Sequence, residues 1–210
     1  GLAIDSKPRQ GMRIQGGETA IRACLTQLLY QELLHSNPLR SLLPNLCPSK
    51  TLEVVGNHIH EQLGRHQLRL ADESLQQLAI YCAVALLRQA AGHELRQFTS
   101  EDLTAPLLAV ARDIYGELPT LTPPGEEEIA CLAIQIQARL TADAPQLSPA
   151  MAAESEQLVE HLLAYIHQHY PYDLRGDLQL RAALQTHISA MLLRVKYQIG
   201  SHNPLADHIK

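Results

Sequence analysis

Apolar residues recur along most of this chain at the three- and four-residue spacing of a helix face. Ile21, Cys24, Leu25, Leu28, Leu29 and Leu33 predict a helix that starts just after Gly17 and is stopped by Asn37-Pro38, since a residue before proline is pushed out of the α region. The residues before Gly17 are polar and glycine-punctuated and predict a turn or small hairpin. Pro44 and Pro48 mark a linker, after which Val54, Val55, Ile59 and Leu63 predict a helix from Thr51 to about Arg65. A second run, from Asp72 as N-cap to Ala91, is closed by Gly92. A third is expected between Ser100 and Gly116, and a fourth from the acidic start Glu126-Glu127-Glu128 to Leu140, where the carboxylates suit the helix dipole. The stretch 141–149, with Pro145 and Pro149, is the best domain boundary; beyond it helices are expected from Ala150 to His169 and from Asp177 to Tyr197.

Two of these helices are copies of one another. Leu78 to Arg88 (LAIYCAVALLR) aligns without gaps to Leu184 to Arg194 (LQTHISAMLLR), an offset of 106 residues, and Ile59-His60 matches Ile166-His167 at nearly the same offset. A duplication is the reading this supports. At 100° per residue, Leu180, Leu184, Ile188, Met191 and Val195 form one stripe of the second copy, the expected core-facing seam. His187 and Arg194 lie together on its flank, where the first copy carries Tyr81 and Arg88. A histidine at the edge of an apolar face is ordinarily a packing residue, and an arginine there commonly lies over apolar surface, so spacing alone does not make His187 functional.

Composition narrows the fold class. Among 210 residues there are no Trp and one Phe, with abundant Leu and Ala, which favours helix packing over β-sandwiches and predicts an all-α chain with a short N-terminal hairpin and helix lead-in. Cys24, Cys47, Cys82 and Cys131 are scattered without a CxxC pair and read as thiols in a reducing cytoplasm. The longest apolar run, Leu78 to Leu87, is too short to span a membrane. A net charge of −5 argues against a nucleic-acid surface over most of the chain, Lys7, Arg9 and Arg13 being a local exception. The chain does not begin with Met, so it is read as a piece of a longer protein.

Leu184-Gln185-Thr186-His187-Ile188, then Arg194, then Asn203-Pro204-Leu205 and Ile209-Lys210, resemble the core motif of the PTS regulation domain, and Tyr172 to Asp177 resemble the approach to its phosphorylated histidine. This family of helical modules, usually in tandem, occurs in sugar-operon antiterminators and transcriptional activators. The resemblance implies tandem antiparallel helical bundles: a junction and linker helix over 1–49, a first module over 50–145, and a second over 150–210 that is cut short. The opening residues look like the junction after the DNA-binding head of the activator members, here missing. An RNA-binding antiterminator of the same family is the alternative.

Carried over, the family's first histidine falls on Tyr81 in the first module and His187 in the second. Its second histidine falls near Gln135 in the first module and beyond Lys210 in the second. The resemblance therefore implies one visible phosphate receiver, His187, with Arg194 and Asn203 as phosphate-pairing or interface residues. Tyr81, Arg88 and Gln135 would be the degenerate equivalents in a structural first module. It further implies the phosphocarrier HPr or a sugar-specific enzyme II component as donor, a homodimer, and contact with DNA through the absent head. No enzymatic activity, cofactor or membrane partner is expected. Eleven histidines raise the question of a metal, but neither His58, His60 and His66 nor His161, His167 and His169 form an HExxH motif or an i, i+4 pair, and no metal site is expected. No glycine-rich phosphate loop and no GxSxG are present. A helical scaffold that only dimerises remains the competing reading.

Overall fold

The computed structural model describes residues 2–7, 11–34, 49–118, 123–140 and 148–200. Within them the architecture is all-helical apart from one antiparallel hairpin, β1 (Ala3–Lys7) and β2 (Gly11–Gln15), paired from Ala3↔Gln15 to Lys7↔Gly11. Seven helices follow among the described residues. They are α1 (Glu18–Leu34), α2 (Ser49–Arg65), α3 (Asp72–Ala90), α4 (Ala105–Glu117), α5 (Glu126–Gln137), α6 (Pro149–His169) and α7 (Leu178–Lys196).

Helices α2 to α5 enclose the main core. Val55, Ile59 and Leu63 of α2 meet Leu78 and Cys82 of α3, Leu107, Val110 and Ile114 of α4, and Leu132 and Ile136 of α5. Helix α1 lies outside this bundle against α3, its Leu29 and Tyr30 packing on Ile80 and Val84. Helices α6 and α7 form a separate hairpin that meets α5 through Ile134, Ala138, Met151, Leu193 and Ile199.

The ends of the helices differ in detail from expectation. Ala71, not Asp72, is the N-cap of α3, and Asp72 and Glu73 occupy the first turn, where their charge favours the dipole. Helix α4 starts only at Ala105, because the residues from Ser100 to Asp102 are spent on a polar anchor described below. Helix α5 stops at Gln137, and Leu140 pairs with Leu70 in an isolated antiparallel bridge.

Helices α3 and α7 end alike. Helix α3 ends with His93 N–H donating to the Arg88 carbonyl (2.9 Å) around Gly92, at φ 81°. Helix α7 ends with Ile199 N–H donating to the Arg194 carbonyl (2.8 Å) around Gln198, at φ 54°. Both are six-to-one closures over a left-handed residue, at the 106-residue offset of the sequence match.

The expected seam of α7 is overturned. Val195 is 71 % exposed and Met191 44 %, while Leu180, Leu184 and Ile188 are only partly covered. The buried positions are Ser189 and Leu193, on the opposite side of the helix. The reason is close approach: the Ser189 hydroxyl donates to Ser155 Oγ (2.8 Å), which in turn donates to the Gln185 carbonyl (3.2 Å), and Gln185 Nε2 donates to the Ala152 carbonyl (3.2 Å). Small polar side chains let α6 and α7 approach where leucines would hold them apart, so the leucine stripe faces outward.

Candidate functional site around His187

His187 stands in the middle of α7, a helix opened by Asp177, whose carboxylate accepts from Leu180 N–H (2.9 Å), and by the salt bridge that ties Arg181 to Glu160 of α6. The imidazole is exposed, and among the described residues no hydrogen bond or ion pair engages it. It borders the outward apolar stripe rather than a buried core. An unengaged imidazole in water is chemically able to act as a nucleophile through its unprotonated nitrogen.

Arg194 lies two turns further on, about 10 Å along the axis at 1.5 Å per residue. Its guanidinium is half-buried, and Nη1 donates to the carbonyl of Ala138 at the end of α5 (3.0 Å). Burial lowers its pKa below the ordinary arginine value. The structure thus puts Arg194 at the contact between the hairpin and the main bundle. Asn203 lies outside the described residues.

The equivalents in the first copy are placed quite differently. Tyr81 is 3 % exposed, on the inside of the bundle rather than at an edge, and its hydroxyl donates to Cys131 Sγ (3.0 Å). Burial pushes its phenol pKa well above 10, and burial likewise raises the Cys82 thiol to about 12 and the Cys131 thiol to about 11. Gln135 is buried on α5, and its side-chain oxygen accepts from Arg139 Nη1 (2.7 Å). Among the described residues no carboxylate pairs with Arg139, and burial lowers its pKa to about 10. Arg88 alone is comparable to its counterpart: it too reaches an element that precedes its own bundle, donating to both carboxylate oxygens of Glu18 in α1 (2.9 and 2.7 Å).

Two buried polar clusters were not anticipated from the sequence. In the first, Arg22 of α1 is fully buried and donates to both oxygens of Glu128 (2.5 and 2.8 Å), to Glu18 Oε1 (3.0 Å) and to the His93 carbonyl (2.9 Å). Glu128 also accepts from Leu95 N–H (2.9 Å). Burial works against the charge on Arg22, yet the two carboxylates hold its pKa above the ordinary value. In the second, Asp102 accepts from Lys196 Nζ (2.6 Å), Tyr197 Oη (2.7 Å) and Ser148 Oγ (2.8 Å), joining the end of α7 to the loop before α4 and the N-cap of α6. Burial alone would raise the Asp102 pKa, but these three donors together bring it below the usual aspartate value. A signal for the first cluster exists: Glu18 and Arg22 share a helix face with Leu25 and Leu29, so an ion pair sits on the side that buries. Nothing comparable marks Asp102.

Several of the histidines considered for a metal have other partners. His66 pairs with Asp113 (2.7 Å), His58 contacts the Ile114 carbonyl (3.1 Å) and Glu117 (3.5 Å), and His169 stacks on Tyr165. Among the described residues no group of three or more His, Cys, Asp or Glu side chains converges as metal ligands. No helix of the described residues is long and apolar enough to cross a membrane.

Among the described residues the chain is helical apart from one hairpin, with an exposed imidazole, His187, on α7 where the aligned position of α3 holds the buried Tyr81. Along its whole length the chain is similar to the "Probable licABCH operon regulator" of Bacillus subtilis (strain 168), at 18 % identity over 218 aligned positions. The match takes in 34 % of that protein, so this chain spans about a third of the relative's length. No family model and no solved structure matches the chain.

Proposed function

We propose that this chain is the signal-receiving part of an operon regulator and that His187 is its phosphate acceptor. One observation carries the reading: of the repeat-equivalent positions only His187 is an open imidazole, whereas Tyr81 and Gln135 are buried and engaged. The whole-chain similarity to an operon regulator supports the class, and the resemblance to the PTS regulation domain supplies the donor chemistry. The ring nitrogen of His187 attacks the phosphoryl group of a phosphohistidine donor, HPr or a sugar-specific enzyme II component. The new N–P bond forms as the donor's N–P bond breaks and its electron pair returns to the donor ring.

The product carries a charge of about −1.5 to −2 beside the apolar stripe of α7. In this reading that charge is incompatible with an apolar contact across the stripe, so phosphorylation changes how modules pack within a homodimer that acts on DNA through another part of the protein. Arg194 is held by the Ala138 carbonyl through Nη1, so in the resting state it is an interface residue, and its remaining N–H donors are the ones that answer the phosphate charge.

Transfer of labelled phosphate from purified, phosphorylated HPr and enzyme II components to the wild type and to His187→Ala tests the proposal. Label on the wild type alone supports it, and equal label on both removes His187 from the account. A second reading, a scaffold that only dimerises, is favoured by the exposure of Met191 and Val195. It predicts self-association without any label.

A further inference from the structure

Helix α5 is held at both ends by side chains from outside its own bundle. At its first turn Glu128 is gripped by Arg22 of α1, which lies in the segment that precedes the bundle. At its last turn the Ala138 carbonyl accepts from Arg194 of α7, and Ile134 and Ala138 pack on Leu193 and Ile199. Every residue from Cys131 to Arg139 is buried, so the C-terminal half of α5 has no solvated side along which to bend. Glu128 to Ala138 is ten residues, about 15 Å of helix. The two arginines that make the outer contacts, Arg88 to Glu18 and Arg194 to Ala138, occupy the same position of the repeat, at the six-to-one closure of their helices.

We propose that α5 is a lever through which the position of α7 is read out at α1. Loss of the Arg194 contact frees the last turn of α5. Because the helix moves as a rigid body, the displacement arrives at Glu128 and loosens its hold on Arg22 and therefore on α1. The duplicated arginine has a common task in both copies, which is to fasten its bundle to the element before it. Coupling of this kind is reciprocal, so weakening the Glu128 end loosens α7. The lever stands on this geometry alone: failure of His187 to accept phosphate leaves it intact, and its own failure leaves the receiver reading intact.

Amide hydrogen exchange of the full chain, followed by mass spectrometry, tests it. Arg194→Gln removes the tether while keeping a polar side chain at a half-buried position. Arg181→Gln breaks the α6–α7 salt bridge at the opposite end of α7 and serves as comparison. The lever predicts that Arg194→Gln speeds exchange about tenfold both in α7 and in residues 18–34, the size expected for one charged hydrogen bond. It predicts that Arg181→Gln affects α6 and α7 alone. Unchanged exchange in residues 18–34 of Arg194→Gln overturns the proposal, and so does a rise shared equally by α2, which marks global loosening instead of transmission.

Discussion

Replacing Glu128 by Gln keeps the shape of the side chain and one acceptor oxygen but removes the charge that faces Arg22. Arg22 is fully buried, so it cannot recover the lost partner by hydration. Glu18 Oε1 and the His93 carbonyl remain, and Glu18 is already shared with Arg88. Breaking one side of a buried ion pair costs about 3–5 kcal/mol, and the retained acceptor places Glu128→Gln near the lower bound. For a chain of this length each kcal/mol is about 2–4 °C of melting temperature, so a fall of roughly 6–12 °C is expected by calorimetry. Adding Arg22→Met to Glu128→Gln removes the stranded charge as well and recovers at least half of that loss. A fall of less than about 2 °C in the single variant, or no recovery in the double, refutes the claim that this pair is desolvated and holds α1 to the bundle.

Three further outcomes follow from the same contacts. Asp102 has its pKa lowered in the folded state, so its contribution is present above the unfolded value of about 3.9 and is lost as pH falls through the folded value. Melting followed from pH 6 down to pH 2 therefore shows an acid limb that Asp102→Asn flattens; equal acid limbs count against the anchor. Leu193→Ala empties a fully buried position and costs about 2–5 kcal/mol in denaturant unfolding, whereas Val195→Asp, on the outward stripe, stays within about 0.5 kcal/mol. The reverse order restores the sequence-predicted seam. Tyr81→His puts an imidazole at the first-copy position but leaves it inside the bundle, so it gains no phosphate under conditions that label His187; label at residue 81 argues that burial is not what closes that copy.

The helical character of the chain was legible because the 3.6-residue period of its leucines and alanines admits little else, and the hairpin because glycine and polar residues interrupt that period early. The sequence match of α3 to α7 was legible too, and both helices close at its aligned arginines, Arg88 and Arg194, in the same way. The orientation of α7 was not legible. A stripe of large apolar residues normally marks the buried face, but here Ser155, Ser189 and Gln185 set the distance between α6 and α7. Tyr81 illustrates the same limit: equivalence in a repeat preserved the backbone position but not the burial, because α4 and α5 cover the first copy. Glu128, the partner of Arg22, was hidden for another reason. Glu126-Glu127-Glu128 reads as a helix start, and only tertiary contact distinguishes its one buried member from the other two.

Site-resolved mass spectrometry of this chain after incubation with a phosphorylated donor, kept at neutral or alkaline pH because an N–P bond is acid-labile, tests the receiver reading most directly. A single phosphoryl group located on His187, absent from His187→Ala, is the expected result. Phosphate on a different residue, or a wild type that stays unmodified with every donor, contradicts it.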